Sequence, residues 1–300
     1  MDYNKPDYSL GAAYMNGKFI PISEAKIPVT DWGFLHSDAT YDVAHVWQGR
    51  FFRLDCHLDR FLSGVSRLRM QTGYSRNQIK DILHNCVRLS GLKDAYVEMV
   101  CTRGVPKPGS RDPRTCENRF FAFAIPFVWI SKTINGKGLH AYISSVQRIS
   151  DKSVDPTIKN YHWLDFVSGL YQAYDHNAET AILTDAHGNI TEGPGFNVFT
   201  INNNVMSTPS KGVLNGITRN TVIDLAQQHG IKTMIGTVSV NDCYSADEIF
   251  ITSTAGGVMP ITMLNGSSVG DGQEGPVTRK LRELYWQAHN IPEYSEPISY

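Results

Sequence analysis

Asp155-Pro-Thr-Ile-Lys-Asn-Tyr-His-Trp163 sets a lysine, Lys159, between a predicted strand at Leu139–Arg148 and a predicted helix from about Trp163 to His176. The helix is read from Phe166, Val167, Leu170, Tyr171 and Tyr174, which recur at helical spacing. Most lysines are solvated, so Lys159 read alone is either a surface residue or a nucleophile. Its aromatic surroundings favour the second reading, because partial desolvation favours the neutral amine that forms Schiff bases.

Working outward, the second half carries short strands at Ala181–Thr184, Ile190–Glu192 and Asn197–Ile201, with turns at Ala186–Asn189 and Asn202–Asn204. A helix is expected after Gly216 and ends at Gly230. A strand at Glu248–Thr252 runs into Ser253-Thr-Ala-Gly-Gly257, and an amphipathic helix covers Val277–His289. Many short strands and few helices imply a barrel-like domain. Two stretches in it suit an anion. Gly212-Val-Leu-Asn-Gly-Ile-Thr-Arg219 feeds a helix whose first N–H groups and dipole face outward, and Thr252–Gly257 lets backbone approach closely after a strand. Either could equally be an ordinary turn. Glu192, in Thr191-Glu-Gly-Pro-Gly-Phe-Asn197, lies among conformationally special residues that suit a fixed carboxylate or a tight turn.

In the first half, Asn16-Gly17 supplies the positive φ angles of a two-residue hairpin. A second pair is expected at Thr40–Trp47 and Arg50–Leu54, turning at Gln48-Gly49. Asp55 is the expected cap of a helix that buries Leu58, Phe61, Leu62, Val65 and Leu68 and points Arg60 away from Leu58 and Phe61. Ser75 and Gln78 have capping-box spacing for the next helix, which Gly91 ends. Strands at Ala95–Thr102 and Arg119–Pro126 flank a Pro- and Gly-rich loop, Gly104–Asn118, of the kind that forms lids. The expected organisation is an α/β domain over residues 1–130, a linker over 131–138 and a barrel-like domain over 139–300.

Composition narrows the function classes. The 300 residues are 41% hydrophobic and 19% charged, with 28 Lys and Arg against 29 Asp and Glu. No global field favours nucleic acid or a membrane surface, so an anion needs a local site. Five dispersed cysteines fit free thiols in a reducing compartment. His36, His57 and His162 lack metal-ligand spacing. Met1–Leu10 is polar, without a signal peptide's apolar core, and no apolar run suffices for a bilayer. A cytoplasmic, soluble protein is expected, without metal.

Taken together and in order, these motifs resemble those of fold-type IV pyridoxal-phosphate enzymes: branched-chain aminotransferases, D-amino-acid aminotransferases and aminodeoxychorismate lyase, and most closely the (R)-selective amine transaminases. The likeness rests on Leu35-His-Ser-Asp-Ala-Thr-Tyr41, Phe52-Arg-Leu-Asp55 with His57-Leu-Asp-Arg60, Asp155–Asn160, Thr191–Asn197, Gly216-Ile-Thr-Arg219 and Thr254-Ala-Gly-Gly257, and runs from Asn16-Gly17 to Tyr300. It implies a two-domain α+β fold, pyridoxal 5′-phosphate bound through Lys159, and a homodimer with active sites at the interface. Lys159 would carry the cofactor and then move the proton. Glu192 would pair with the pyridine nitrogen and keep the ring an electron sink. Arg60, the N–H groups of Ile217 and Thr218, and Thr254 would hold the phosphate. Trp163 stands where branched-chain enzymes place a tyrosine near the cofactor's O3′, and an indole cannot play a phenol's acid–base part.

For substrate, the resemblance implies a large pocket at His36, Tyr41 and Trp163, and a small one at Val43, Tyr96 and Thr252, Ser253, Thr254 and Ala255. Tyr96 replaces an expected phenylalanine. Glu98 stands where branched-chain enzymes carry a basic residue, which disfavours a dedicated α-amino-acid site. The implied reaction moves an amino group from an (R)-configured primary amine to a small keto acid such as pyruvate, whose carboxylate would meet Arg111, with Lys107 as the alternate. D-amino-acid or branched-chain transamination, lyase chemistry and a non-catalytic binding role are the competing readings.

Overall fold

The computed structural model describes residues 6–130 and 138–300. Apart from Gly138, the expected linker lies outside the described residues. The described residues form two compact units: 6–128 with 158–161 and 289–300, and 129–130 and 138–157 with 162–288. Where the periodicity assigns 139–300 to one domain, Ile158–Tyr161 and His289–Tyr300 instead join the first unit. The cause is local: Thr40 Oγ1 and Tyr41 N–H donate to Lys159 O at 2.8 and 3.2 Å, and the strand Ser295–Pro297 pairs with Arg50–Phe52.

In the first unit the elements are β1 (Ala12–Met15), β2 (Lys18–Pro21), α1 (Trp32–Leu35), β3 (Ala39–Trp47), β4 (Arg50–Phe52), α2 (Leu54–Arg67), α3 (Arg76–Ser90), β5 (Ala95–Val105) and β6 (Glu117–Pro126). They make an antiparallel sheet in the order Ser295–Pro297, β4, β3, β5, β6, β1, β2. Asn16-Gly17 turns the first hairpin with φ of 52° and 76°. Ser75 and Gln78 form the capping box of α3, and Gly91 ends it at φ 69°. Asp55 does not cap α2. That helix starts at Leu54 after Arg53, which takes the left-handed conformation, and the Asp55 carboxylate accepts from Arg76 and Lys80 instead. Strand β5 also runs past Thr102. Gly104, at φ 82°, makes a bulge where any Cβ would strike Glu117 O, so the ladder resumes at Val105 and the loop shrinks to 106–116.

Period-two alternation gives this sheet two distinct faces. Ala44, Val46, Val97, Met99 and Cys101 pack under α2 and α3 with Leu58, Phe61, Val65, Ile79 and Leu83. Tyr41, Val43 and Val100 face the other way, with Tyr96, Phe121 and Tyr161 against them.

The second unit contains β7 (Leu139–Gln147), α4 (Leu164–Asp175), β8 (Thr180–Thr184), β9 (Glu192–Gly193), β10 (Phe196–Asn202), β11 (Val205–Pro209), α5 (Ile217–Gln228), β12 (Lys232–Gly236), α6 (Val240–Tyr244), β13 (Glu248–Ser253), β14 (Gly257–Leu264), β15 (Ser267–Ser268) and α7 (Pro276–Ala288). Its sheet runs β12-β11-β10-β13-β14-β7-β8, and β9 pairs with β10. Thr191 N–H donates to Leu183 O at 3.0 Å, and Thr184 bridges Ile190, so the segment that leads into β9 lies beside β8 and the sheet is barrel-like. This is the expected barrel, filled by Ile182, Ile190, Val198, Ile249, Ile251, Met259 and Ile261. The expected turn after β13 is present at residues 254–256, and Gly257, at φ 68°, leads from it into the long strand β14.

Candidate active site

Lys159 is half-buried, its backbone clamped to β3 by the two bonds from Thr40 and Tyr41. Its Nζ lies 4.5 Å from the centroid of the Tyr41 ring, and that ring stacks on Tyr161 at 4.3 Å. The aromatic setting seen in the sequence is therefore real, and it constrains the amine from one side.

Beside it in the first unit is a charged cluster. Asp42, fully buried, accepts from His57 Nδ1 at 2.7 Å, from Arg60 Nε at 2.7 Å and from Arg60 Nη2 at 2.8 Å. Burial alone would raise its carboxyl, but the Arg60 charge and the hydrogen bonds from Arg60 and His57 outweigh burial and hold it well below the usual range. Burial lowers His57 despite Asp42, which keeps the imidazole neutral. Arg60 is thus held in a fixed orientation by a two-point carboxylate pair.

Glu98 lies on the opposite face of the sheet, paired in register with Val43, and is 8% exposed. It accepts from the Tyr161 hydroxyl at 2.6 Å. Burial raises its carboxyl, opposed by the Tyr161 hydrogen bond, the Lys159 charge and a hydrogen bond from Tyr96. Burial, then Glu98, pushes both Tyr161 and Tyr96 far up, so both phenols stay protonated donors. Lys159, Tyr41, Val43, Tyr96 and Glu98 are therefore brought together. His36 is exposed at the end of α1 against Trp32, and Arg111 and Lys107 are exposed on the 106–116 loop.

In the second unit Glu192 and Asn197 are cross-strand partners, and both seize Leu214. Leu214 N–H donates to Glu192 Oε2 at 2.9 Å, and Asn197 Nδ2 donates to Leu214 O at 2.9 Å. This pins the turn that leads into α5, where a Cβ on Gly216 would collide with Asn197 Oδ1. Helix α5 begins after Gly216 with no side-chain cap, leaving the first N–H groups, those of Ile217 and Thr218, for an external acceptor. Glu192, 5% exposed, also pairs with Arg148 Nε at 3.2 Å, and Arg148 reaches Asp165 at 2.6 Å. Ser253 hydroxyl is committed to the turn: it donates to Gly195 O and accepts from Ala255 N–H. The buried Thr252 Oγ1 has no partner among the described residues. Trp163 begins α4 and packs against Phe166.

Sequence reading names neither Asp42, His57, Arg148 nor Tyr161 as site residues. Only Tyr161, two positions from Lys159, carried a signal that could have found it. Among the described residues no group of three or more His, Cys, Asp or Glu is placed to hold a metal ion, and no helix is long and apolar enough to cross a membrane.

An uncapped helix start behind a glycine, a buried carboxylate and an orphaned buried hydroxyl in the second unit fit a phosphorylated heteroaromatic cofactor. The comparisons agree. Residues 39–264 match the model of the amino-transferase class IV family. A putative branched-chain-amino-acid aminotransferase of Methanocaldococcus jannaschii is 34% identical over 91% of this chain and 94% of its own. A D-alanine aminotransferase of Staphylococcus haemolyticus is 28% identical over 90% and 95%. A branched-chain amino acid aminotransferase of T.th., solved with pyridoxamine 5′-phosphate, superposes with a TM-score of 0.90 at 25% identity, covering 98% of this chain and all of that one. The fold is fold-type IV. The chain belongs to the class IV aminotransferases: it is an enzyme that uses pyridoxal phosphate, an amine and a keto acid.

Proposed function

We propose that the enzyme moves an amino group from an (R)-configured primary amine lacking a carboxylate to a small keto acid such as pyruvate. The observation that carries this reading is Glu98, a buried carboxylate on the face that also presents Tyr41, Val43 and Tyr96. An α-amino-acid donor needs a cation for its carboxylate, and an anion there repels it.

Pyridoxal phosphate, when bound, supplies the electron sink. Lys159 would attach it and would then hold and move a proton at its Nζ. Glu192, held by Leu214 N–H and Arg148, would pair with the pyridine nitrogen and keep it protonated. Arg60, Ile217, Thr218 and Thr254 bind the phosphate, with Asp42 and His57 orienting Arg60. Trp163 borders the ring. Tyr41, His36 and Trp163 shape the larger substrate pocket, and Val43, Tyr96, Glu98, Thr252, Ser253 and Ala255 the smaller. Arg111 receives the keto acid's carboxylate, with Lys107 as the alternate.

A homodimer is part of the proposal. Leu164, Val167, Tyr171 and Tyr174 recur on one face of α4 and all are exposed, Leu164 by 84%. Such a stripe, a few residues after Lys159 in the chain, supports self-association. The five free cysteines support a reducing, cytoplasmic setting.

The relatives' names favour a second reading, branched-chain or D-amino-acid transamination. Donor rates for (R)-1-phenylethylamine, D-alanine and L-leucine with one common keto acid decide between them. The proposal requires the first to dominate; a dominant amino acid overturns it.

A further inference from the structure

Tyr161 has no part in the roles assigned so far, yet it joins the lysine to the carboxylate. Its ring stacks on Tyr41 at 4.3 Å, Tyr41 lies 4.5 Å from Lys159 Nζ, and its hydroxyl donates to Glu98 at 2.6 Å. From this geometry we infer that Tyr161 is the positioning residue that fixes donor selectivity, by holding Glu98 as an oriented acceptor that turns away carboxylate-bearing donors. The inference deepens the proposed amine specificity and rests on it.

The physical case is a competition at one buried carboxyl. Burial favours the neutral form of Glu98, and neutral Glu98 repels nothing. The groups that act on it are Tyr96 on its own strand, Lys159 and Tyr161 on the returning segment, and Asp42 from the other face of β3, while Tyr41 acts on the two phenols. Asp42 favours the neutral form; the Tyr161 hydrogen bond, Lys159 and Tyr96 favour the anion. Tyr161 stays protonated and so remains a donor. Tyr161→Phe keeps the ring stack and removes only the donor. With its carboxyl already raised, Glu98 then protonates at still higher pH. Discrimination is present above that pH and lost as pH falls through it.

The test measures single-turnover half-reactions of (R)-1-phenylethylamine and D-alanine with holoenzyme across pH, alongside infrared titration of the Glu98 carboxyl, identified by its loss in Glu98→Gln. In Tyr161→Phe the carboxyl step is expected to move up by about one pH unit, the effect of one hydrogen bond to a charged group, and the pH at which the amine-to-D-alanine rate ratio falls off is expected to move up with it. Glu98→Gln should give a low ratio independent of pH, and adding Tyr161→Phe to it should leave the ratio alone. Equal losses for both donors, an unmoved carboxyl step, or an effect of Tyr161→Phe that survives in Glu98→Gln would overturn the inference. If the wild type fails to use (R)-1-phenylethylamine, the amine proposal falls by itself, and the infrared step still decides whether Tyr161 controls Glu98.

Discussion

Asp42→Asn isolates the cluster that orients Arg60. Side-chain donors His57 Nδ1, Arg60 Nε and Arg60 Nη2 and the Val43 N–H converge on the two Asp42 oxygens in a fully buried position. An asparagine amide offers one oxygen and one N–H₂ group, so at least one donor then faces another donor, and the guanidinium loses its counter-charge. Breaking one partner of a buried pair costs about 3–5 kcal/mol. For a unit of this size that lowers the melting temperature by on the order of 10 °C. The folded Asp42 carboxyl lies below its ordinary value of 3.8. Its stabilisation is therefore complete above that value and is lost as pH falls below it, so the gap between wild type and variant should be constant near neutrality and close below pH 3.8. Calorimetric melting across pH reads the gap, and cofactor titration reads Arg60, with a rise of about tenfold in the dissociation constant expected from one weakened charge-assisted bond. A melting shift under about 2 °C, the range of an ordinary surface change, together with unchanged cofactor affinity, refutes the orientation of Arg60 by Asp42.

Three further outcomes follow from the site. Glu192→Gln should lower kcat by roughly 100-fold or more, as removal of a fixed electrostatic partner does, and should also lower the melting temperature because buried Arg148 loses one of its carboxylate partners; steady-state kinetics on the folded holoenzyme checks the first and calorimetry the second. Arg111→Ala should raise KM for pyruvate and leave the amine half-reaction unaltered, and a normal keto-acid half-reaction removes Arg111 from the site. Leu164→Glu places a charge in the exposed α4 stripe and should shift sedimentation from dimer towards monomer with loss of activity; a fully active monomer contradicts the dimer proposal.

Local chemistry was legible in the sequence. Asn16-Gly17, the Ser75–Gln78 capping box and Gly91 act within a few residues, and each forms the feature read from it. The failures are local signals overridden from a distance. Asp55 has cap chemistry, but Arg53 turns into the left-handed region and Asp55 is claimed by Arg76 and Lys80. Gly104 reads as a loop and serves as a bulge because Glu117 passes beside it.

The site divides the same way. Lys159, Glu192 and the Gly216-Ile-Thr-Arg219 turn announce themselves by residue type and neighbours. Their supports do not. Arg148 reaches Glu192 from 44 residues away, and Tyr161 reaches Glu98 from 63, contacts that only the bonds of Arg148 and Thr191 to β8 and the register of β3 against β5 create.

Every proposed role depends on which lysine carries the cofactor. Borohydride reduction of the holoenzyme followed by peptide mass mapping answers that directly. The phosphopyridoxyl label should lie on Lys159, and Lys159→Ala should bind no reducible cofactor. Label on any other lysine, or none on the peptide containing Lys159, would contradict the assignment.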